Sequence, residues 1–289
     1  MEAQGKKTGY LTQDFRLFYN RDRQKRSFPP HYHDFHKLMI LLGGNVTYCI
    51  EGRSYELLPG DIVLVPEGAL HYPVIHDDTL YERIIFYLSD SFFECWGDMS
   101  RDLKACFTWS EKTQSFLIRP GGENALRLAA LSASLVEAAL DEGSGAEVIR
   151  RCRAMELLVL LCRLLTDPDE PASMAPSSSH PVIAEVLAYL NGNLTNEDLC
   201  IDDAAAAVNL DRSYLMHLFK ASTGYTIGRY VTEKRLYTAR TLLDQGYSVT
   251  EACYRSGFKN YSAFYYAWRK KYASSPQRGN ESAPQVEGE

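Results

Sequence analysis

Two stretches in the last third of the chain carry one pattern. Ser213-Tyr-Leu215-x-x-x-Phe219-Lys220 and Ser262-Ala-Phe264-x-x-x-Trp268-Arg269 lie 49 residues apart. Each sets an apolar residue and an aromatic four apart, one turn along the same helical face, with a cation directly after. Each follows a short helical pattern, Ile201 to Val208 and Val249 to Ser256, and a tight turn, at Asn209 and Gly257. A helix-turn-helix made twice in one chain has the geometry of a protein that reads two major-groove segments.

The charge distribution bears on that geometry. The formal net charge of the 289 residues is -6, which does not by itself suit a nucleic-acid binder. Residues 1–211 hold 19 Lys and Arg against 31 Asp and Glu, whereas residues 212–271 hold 11 against 3. A strongly basic block inside an acidic chain points to a polyanionic partner, unless it is only a solvated helical face. Its overlap with the doubled motif favours the partner.

Upstream, period-2 alternation dominates. Val46, Tyr48 and Ile50 alternate with Thr47 and Cys49, Glu51-Gly52 makes a turn, and Ser54 to Leu57 returns as the second arm of a hairpin. Pro59-Gly60-Asp61 turns the chain into Ile62 to Val65, and Ile84 to Leu88 forms another strand. Short strands at this spacing predict a small β-barrel or jelly roll, with strands and turns through residue 110. Residues 123–141 and 146–166 then change to helical period. In the second, Val148, Cys152, Met155, Val159 and Cys162 form a narrow seam flanked by Ile149, Leu158 and Leu165. The seam serves either to pack on the chain's own barrel or to meet a second copy, which would give a DNA reader two linked heads. Three prolines and a serine tract in 167–179 read as a linker.

The seven cysteines are scattered with no C-x-x-C, as expected of reduced thiols in a cytoplasmic protein. The first residues lack the apolar stretch of a secretory signal. No apolar run reaches the ~18 residues that span a bilayer, so no membrane partner is expected.

Within the doubled region, Ala204, Ala205 and Val208 join Ile201 on the apolar face of the first supporting helix. Asn209 suits a left-handed turn residue, and Asp211 suits an N-cap. Ser248-x-x-Glu251 is a capping-box pattern, and Gly257-Phe258 makes the second turn. Between the units, Ile227 to Leu243 reads as one long helix that would space the two readers by about one turn of DNA, roughly 34 Å.

Residues 199–276 resemble the DNA-binding domain of the AraC/XylS family of bacterial transcription regulators. The matching residues are Leu210-Asp-Arg-Ser-Tyr-Leu-Met-His-Leu-Phe-Lys220, Thr223-Gly224, Lys234-Arg235-Leu236, Ala239-Arg240-x-Leu242-Leu243, Gly257-Phe258 and Ser275-Pro276. The resemblance implies that the second helix of each unit enters the major groove. It makes Ser213, Met216, His217, Tyr261, Ser262 and Tyr265 the candidates for base edges. Arg212, Lys220, Arg240, Lys259, Arg269 and Lys270 become candidates for phosphate, setting register and affinity rather than sequence. Three departures stand out: Cys200 as a poor cap, Ala252-Cys253 in place of a larger aliphatic and Ala, and Gln277-Arg278-Gly279-Asn280 where a tyrosine and arginine usually close the domain.

In the first half, His31-Tyr-His33, Lys37 and Pro66-Glu-Gly68-Ala-Leu-His71 resemble the cupin metal signature. A cupin places two histidines at i and i+2 of one strand, a Glu four residues on, and a distant histidine. Here Lys37 holds the Glu position, and a cation there would repel a metal, so no metal and no cofactor are expected. The AraC-like resemblance implies instead a small-molecule effector pocket. His31, His33, His36, Lys37, His71 and Tyr72 would line it and favour a polar or anionic effector.

The expected fold class is thus an α+β multidomain chain. A cupin-like sensor barrel occupies 1–118, a helical dimerisation segment 119–166, a linker 167–180, an all-α double helix-turn-helix domain 181–278 and a disordered tail 279–289. The expected function is that of a non-enzymatic, sequence-specific regulator, a homodimer binding double-stranded DNA, with RNA polymerase as a further candidate partner. The competing readings are a cupin enzyme tethered to DNA, which needs a bound metal, and a dimeric scaffold whose basic block binds RNA or acidic protein.

Overall fold

The computed structural model describes residues 11, 13–23, 28–166, 173–174, 178–179 and 181–277. The chain divides into two compact units, residues 1–179 and 180–289.

The first unit is a pair of antiparallel sheets backed by helices. Its strands are β1 (Phe15–Asp22), β2 (His36–Gly43), β3 (Val46–Ile50), β4 (Arg53–Glu56), β5 (Ile62–Val65), β6 (His71–Ile75), β7 (Tyr81–Leu88), β8 (Leu117–Arg119) and the short β9 (Ser173–Met174) and β10 (Ser178–Ser179). One sheet runs β1-β7-β2-β5-β8-β9 and the other β10-β4-β3-β6. The expected hairpin is β3–β4, with Ile50 opposite Arg53 and both turn residues in the left-handed region, Glu51 at φ 44° and Gly52 at φ 75°. Positive φ at both turn positions matches the right-handed twist of the strands. Of the expected linker, β9 pairs with β8 and β10 with β4. The rest of 167–180 lies outside the described residues, as does the expected tail 279–289.

Strand alternation splits the larger sheet into two faces. Leu38, Ile40, Ile62, Leu64, Ile84 and Phe86 pack toward the helices, while Met39, Leu41, Val63, Val65 and Ile85 pack toward Val46, Tyr48, Ile50 and Ile75 of the second sheet. The larger sheet is therefore buried on both faces, which explains why β2 carries a continuous apolar run rather than an alternating one.

The helices of this unit are α1 (Asp90–Glu94), α2 (Ser100–Thr113), α3 (Gly122–Leu140) and α4 (Ala146–Thr166). The expectation of strands through residue 110 fails at α1 and α2. Leu103, Cys106, Phe107 and Ser110, spaced three and four apart, are buried on one face of α2. The α4 helix turns Ala154, Leu157, Leu158, Leu161 and Leu164 into the core, and Arg151 clamps Asp14 with two bonds of 2.7 Å. That guanidinium holds the Asp14 carboxyl below the usual carboxylate range. Of the expected seam, Val148, Cys152, Met155 and Val159 lie off this buried face, with Val148 64% exposed, whereas the Cys162 thiol turns back to donate to the Asp102 carbonyl of α2 at 2.7 Å.

Among its described residues the second unit is all-helical: α5 (Pro181–Gly192), α6 (Ile201–Ala207), α7 (Arg212–Thr223), α8 (Ile227–Asp244), α9 (Val249–Arg255) and α10 (Tyr261–Tyr272). The helix bounds follow the sequence expectation because the local stop and start signals hold. Asn209 is left-handed at φ 53°, and the Ser248–Glu251 capping box is complete. Cys200 does cap α6, with its sulfur accepting the Asp203 N–H at 3.4 Å. No helix among the described residues is long and apolar enough to cross a membrane.

Candidate nucleic-acid interface and sensing site

The first reading helix, α7, is set by its cap. The Asp211 carboxylate accepts the Ser213 and Tyr214 N–H groups at 2.8 and 3.2 Å. Leu215 and Phe219 are completely buried, so the opposite faces carry Arg212, Ser213, Met216, His217 and Lys220 into solvent. In α10, Asn260 accepts the Ala263 N–H at 2.8 Å, while Phe264 and Trp268 enter the core. Tyr261 and Ser262 are exposed. Tyr265 is half-buried, its ring stacked on Tyr261 with centroids 6.1 Å apart and its hydroxyl 3.3 Å from Ser275 Oγ. Tyr265 is thus steered by two neighbours, where Met216 and His217 are simply presented.

The expected phosphate-binding cations fall into two groups. Lys220, Arg269 and Lys270 are exposed. Arg212 and Lys259 each meet a carboxylate at 2.9 Å, Asp202 and Asp198 respectively. Arg240 is half-buried, 3.9 Å from Asp244 and 5.8 Å from the Tyr272 ring centroid. Exposed ion pairs of this kind contribute little, about 0–1 kcal/mol, and can be exchanged for phosphate at small cost.

The two reading units meet at a loop that the sequence reading missed, residues 193–199. Arg235 of α8 donates to the Leu194 and Asn196 carbonyls at 2.8 and 2.6 Å, and Lys259 reaches Asp198. Gly257 sits beneath the same Leu194 carbonyl. The Tyr230 hydroxyl donates to Asn191 Oδ1 at 2.8 Å, tying α8 to α5. These bonds fix α8 against both units. The contacts join residues 39 to 63 positions apart, so local periodicity carries no trace of them.

In the sensor unit, four of the six expected pocket residues come together. His31 and His33 precede β2 rather than sharing a strand, as the cupin comparison had suggested. His31 instead exchanges backbone hydrogen bonds with His71, at 3.1 and 2.8 Å. The ring centroids of His31, His33 and His71 lie 4.4–4.9 Å apart. Lys37 shares the inter-sheet face with Met39 and Leu41, and its ammonium lies 5.6 Å from the Tyr48 ring centroid. Burial pushes Lys37 down to about 7 and His33 down to about 2, and holds His31 and His71 below the usual histidine range. The imidazoles are therefore neutral at neutral pH.

The other two residues point elsewhere. His36, one residue before Lys37, lies on the helix-facing side against Phe93 and Phe107. Tyr72 follows His71 and alternates to the outer side of β6, beside Cys49. Three aromatics not expected at the cluster join it: Phe35 stacks on His33 with centroids 4.5 Å apart, Tyr87 lies 5.8 Å from His33, and Tyr48 lies parallel to His71 at 6.1 Å. The alternation of Val46, Tyr48 and Ile50 was the signal available for Tyr48.

Comparison with known proteins agrees in both units. Residues 14–158 match the AraC-like ligand binding domain, and residues 204–280 match a helix-turn-helix domain. The HTH-type transcriptional activator RhaS of Salmonella arizonae is 26% identical over 267 residues, which span 90% of this chain and 91% of that protein. RhaS of Citrobacter koseri is 26% identical over 253 residues, 87% of each chain. Among solved structures, ToxT of Vibrio cholerae covers 91% of this chain and 95% of its own, at 16% identity and a TM-score of 0.37.

Proposed function

Because the chain belongs to the AraC family of transcription regulators, with a ligand-binding N-terminal domain and a DNA-binding helix-turn-helix domain, we propose the following division of labour between them. Helices α7 and α10 enter two successive major-groove segments. Ser213, Met216 and His217 face bases in one, and Tyr261, Ser262 and Tyr265 in the other. Lys220, Arg269 and Lys270 meet phosphate directly, and Arg212, Lys259 and Arg240 do so on leaving their carboxylates. The observation that carries this reading is the presentation of these side chains opposite a buried face led by Leu215, Phe219, Phe264 and Trp268. A thioether and stacked tyrosines favour apolar contact, for example with a thymine methyl, over bidentate pairing with guanine.

The effector site lies between the two sheets at His31, His33, Lys37 and His71, and a polar effector there biases how the reading heads are presented. The working species is a homodimer in the cytoplasm, acting by binding rather than catalysis, with RNA polymerase as a downstream partner. Four residues of the seam support the dimer: Val148, Cys152, Met155 and Val159 leave the core to Leu157, Leu158, Leu161 and Leu164, and Met155 and Val159 line a groove of about 570 Å³ between α3 and α4 together with Ala130, Leu131 and Leu160.

Electrophoretic titration of full-length protein against promoter fragments at several salt concentrations tests the DNA arm. A steep fall of affinity with salt and a preference among fragments are expected. Equal binding to all fragments at physiological salt would contradict it. A thermal-shift screen of sugars, carboxylates and phosphates tests the effector arm, and a hit should fail to stabilise the Lys37→Met variant.

A further inference from the structure

Between the two sheets, His31, His33 and His71 bring ring nitrogens within 4.8 Å of one another. Their tautomers are set by the backbone. The Nδ1–H of His31 donates to the Pro29 carbonyl at 2.8 Å, and the Nδ1–H of His71 donates to the Ala69 carbonyl at 2.9 Å. Each bond uses the single proton of a neutral ring and leaves a lone pair on Nε2. His71 Nε2 and both nitrogens of His33 are buried with no hydrogen-bond partner among the described residues. Unsatisfied buried nitrogens cost roughly 1–3 kcal/mol each, and three in one place call for an occupant. Converging lone pairs repel a bare anion and attract a cation.

We propose that His31, His33 and His71 bind a divalent transition-metal ion of the zinc class, leaving a fourth coordination position for water or an anionic ligand. Zinc–imidazole bonds of about 2.0–2.1 Å would draw the three nitrogens to roughly 3.3 Å apart, a small closure of the present cluster. The half-exposed His31 gives the ion a way in. Lys37, the residue that argued against a metal in the sequence, is not one of the three converging donors; its nearby charge weakens the site without abolishing it.

A second cluster in the same domain does not share this chemistry. His36, Glu67 and Asp90 also converge, but the Glu67 N–H donates to His36 Nδ1 at 3.1 Å. A neutral His36 ring then carries its proton on Nε2, 3.6 Å from Asp90, and presents no lone pair there. Lys104 already holds Asp90 at 2.6 Å. That cluster is an ion network rather than a metal site.

The proposal deepens the sensing role given to this cluster, yet its test needs no DNA, so either can fail alone. Full-length protein stripped with a chelator is titrated with Co²⁺ and followed by visible absorption, isothermal calorimetry and thermal unfolding. One equivalent should bind with tetrahedral d–d bands, no thiolate charge transfer and a raised Tm. His33→Ala and the double variant His31→Ala/His33→Ala should lose that equivalent, with folding checked by circular dichroism. Lys37→Met should tighten it by at least about tenfold. Absence of the bands in the parent protein at one equivalent would overturn the proposal whatever the variants do. So would thiolate bands, which place the metal on cysteine, or an undiminished equivalent in the double variant.

Discussion

In the first reading unit the turn is made by Asn209 at φ 53°, and in the second by Gly257 at φ 91° with the Leu194 carbonyl against its α-carbon. The first unit leans on α5 through Ile183, Val186, Leu187 and Leu190, all buried, while the second leans on α8 and closes over Trp268. Their outward residues differ as well: a serine, a thioether and an imidazole against a serine and two tyrosines. One chain pattern, repeated 49 residues on, has thus been given two supports and two different outward surfaces. A shared helix-turn-helix geometry fixes where a helix lies in the groove, and the outward side chains fix what it reads.

The sharpest way to break this comparison is at the turns. A Cβ at Gly257 would fall on the Leu194 carbonyl oxygen and within 2.9 Å of Arg235 Nε, in a backbone region that L-residues avoid. Gly257→Ala should lower unfolding free energy by more than about 3 kcal/mol in urea denaturation. Asn209→Gly should change it by less than about 1 kcal/mol, since both residues accept the left-handed conformation. Similar losses at the two turns would mean that the junction with loop 193–199 is not what distinguishes the second unit.

At the reading surfaces the expected effects are next in size. Met216→Ala and Tyr261→Ala should each cost about 1–3 kcal/mol of DNA binding, and each should relax preference over a different part of the site. Lys270→Ala should weaken all sequences alike and lower the salt slope by about 1. Competition binding with single-position operator variants separates these outcomes.

The caps give the smallest effects. Asp211→Ala and Ser248→Ala should each lose about 1 kcal/mol. Cys200→Ser should gain a few tenths, because a hydroxyl accepts the Asp203 N–H better than a sulfur at 3.4 Å. A loss at Cys200→Ser would show that the thiol is held by packing rather than by capping.

What the sequence disclosed follows from how local its causes are. Helices α6 to α10 were legible because each boundary is written within four residues, in Asp211, Ser248 and the two turn residues. The β3–β4 hairpin was legible for the same reason, through Glu51-Gly52. Strand β2 was not, since burial on both faces erases its alternation, and α2 was obscured by the strands around it. At the candidate effector site the residue types were visible, but not their faces. His36 and Lys37 are adjacent in sequence, and the one-residue step sends them to opposite sides of the sheet. The pairing of His31 with His71 depends on a bridge across 40 residues, which no local pattern encodes.

The account turns on the two heads reading unlike sequences, and selection of bound duplexes from a random pool by full-length protein measures that directly. At physiological salt it expects, for each protomer, two dissimilar submotifs with centres about one helical turn, ~10 bp, apart. Enrichment of a single submotif repeated at that spacing, or no enrichment at all, would contradict it.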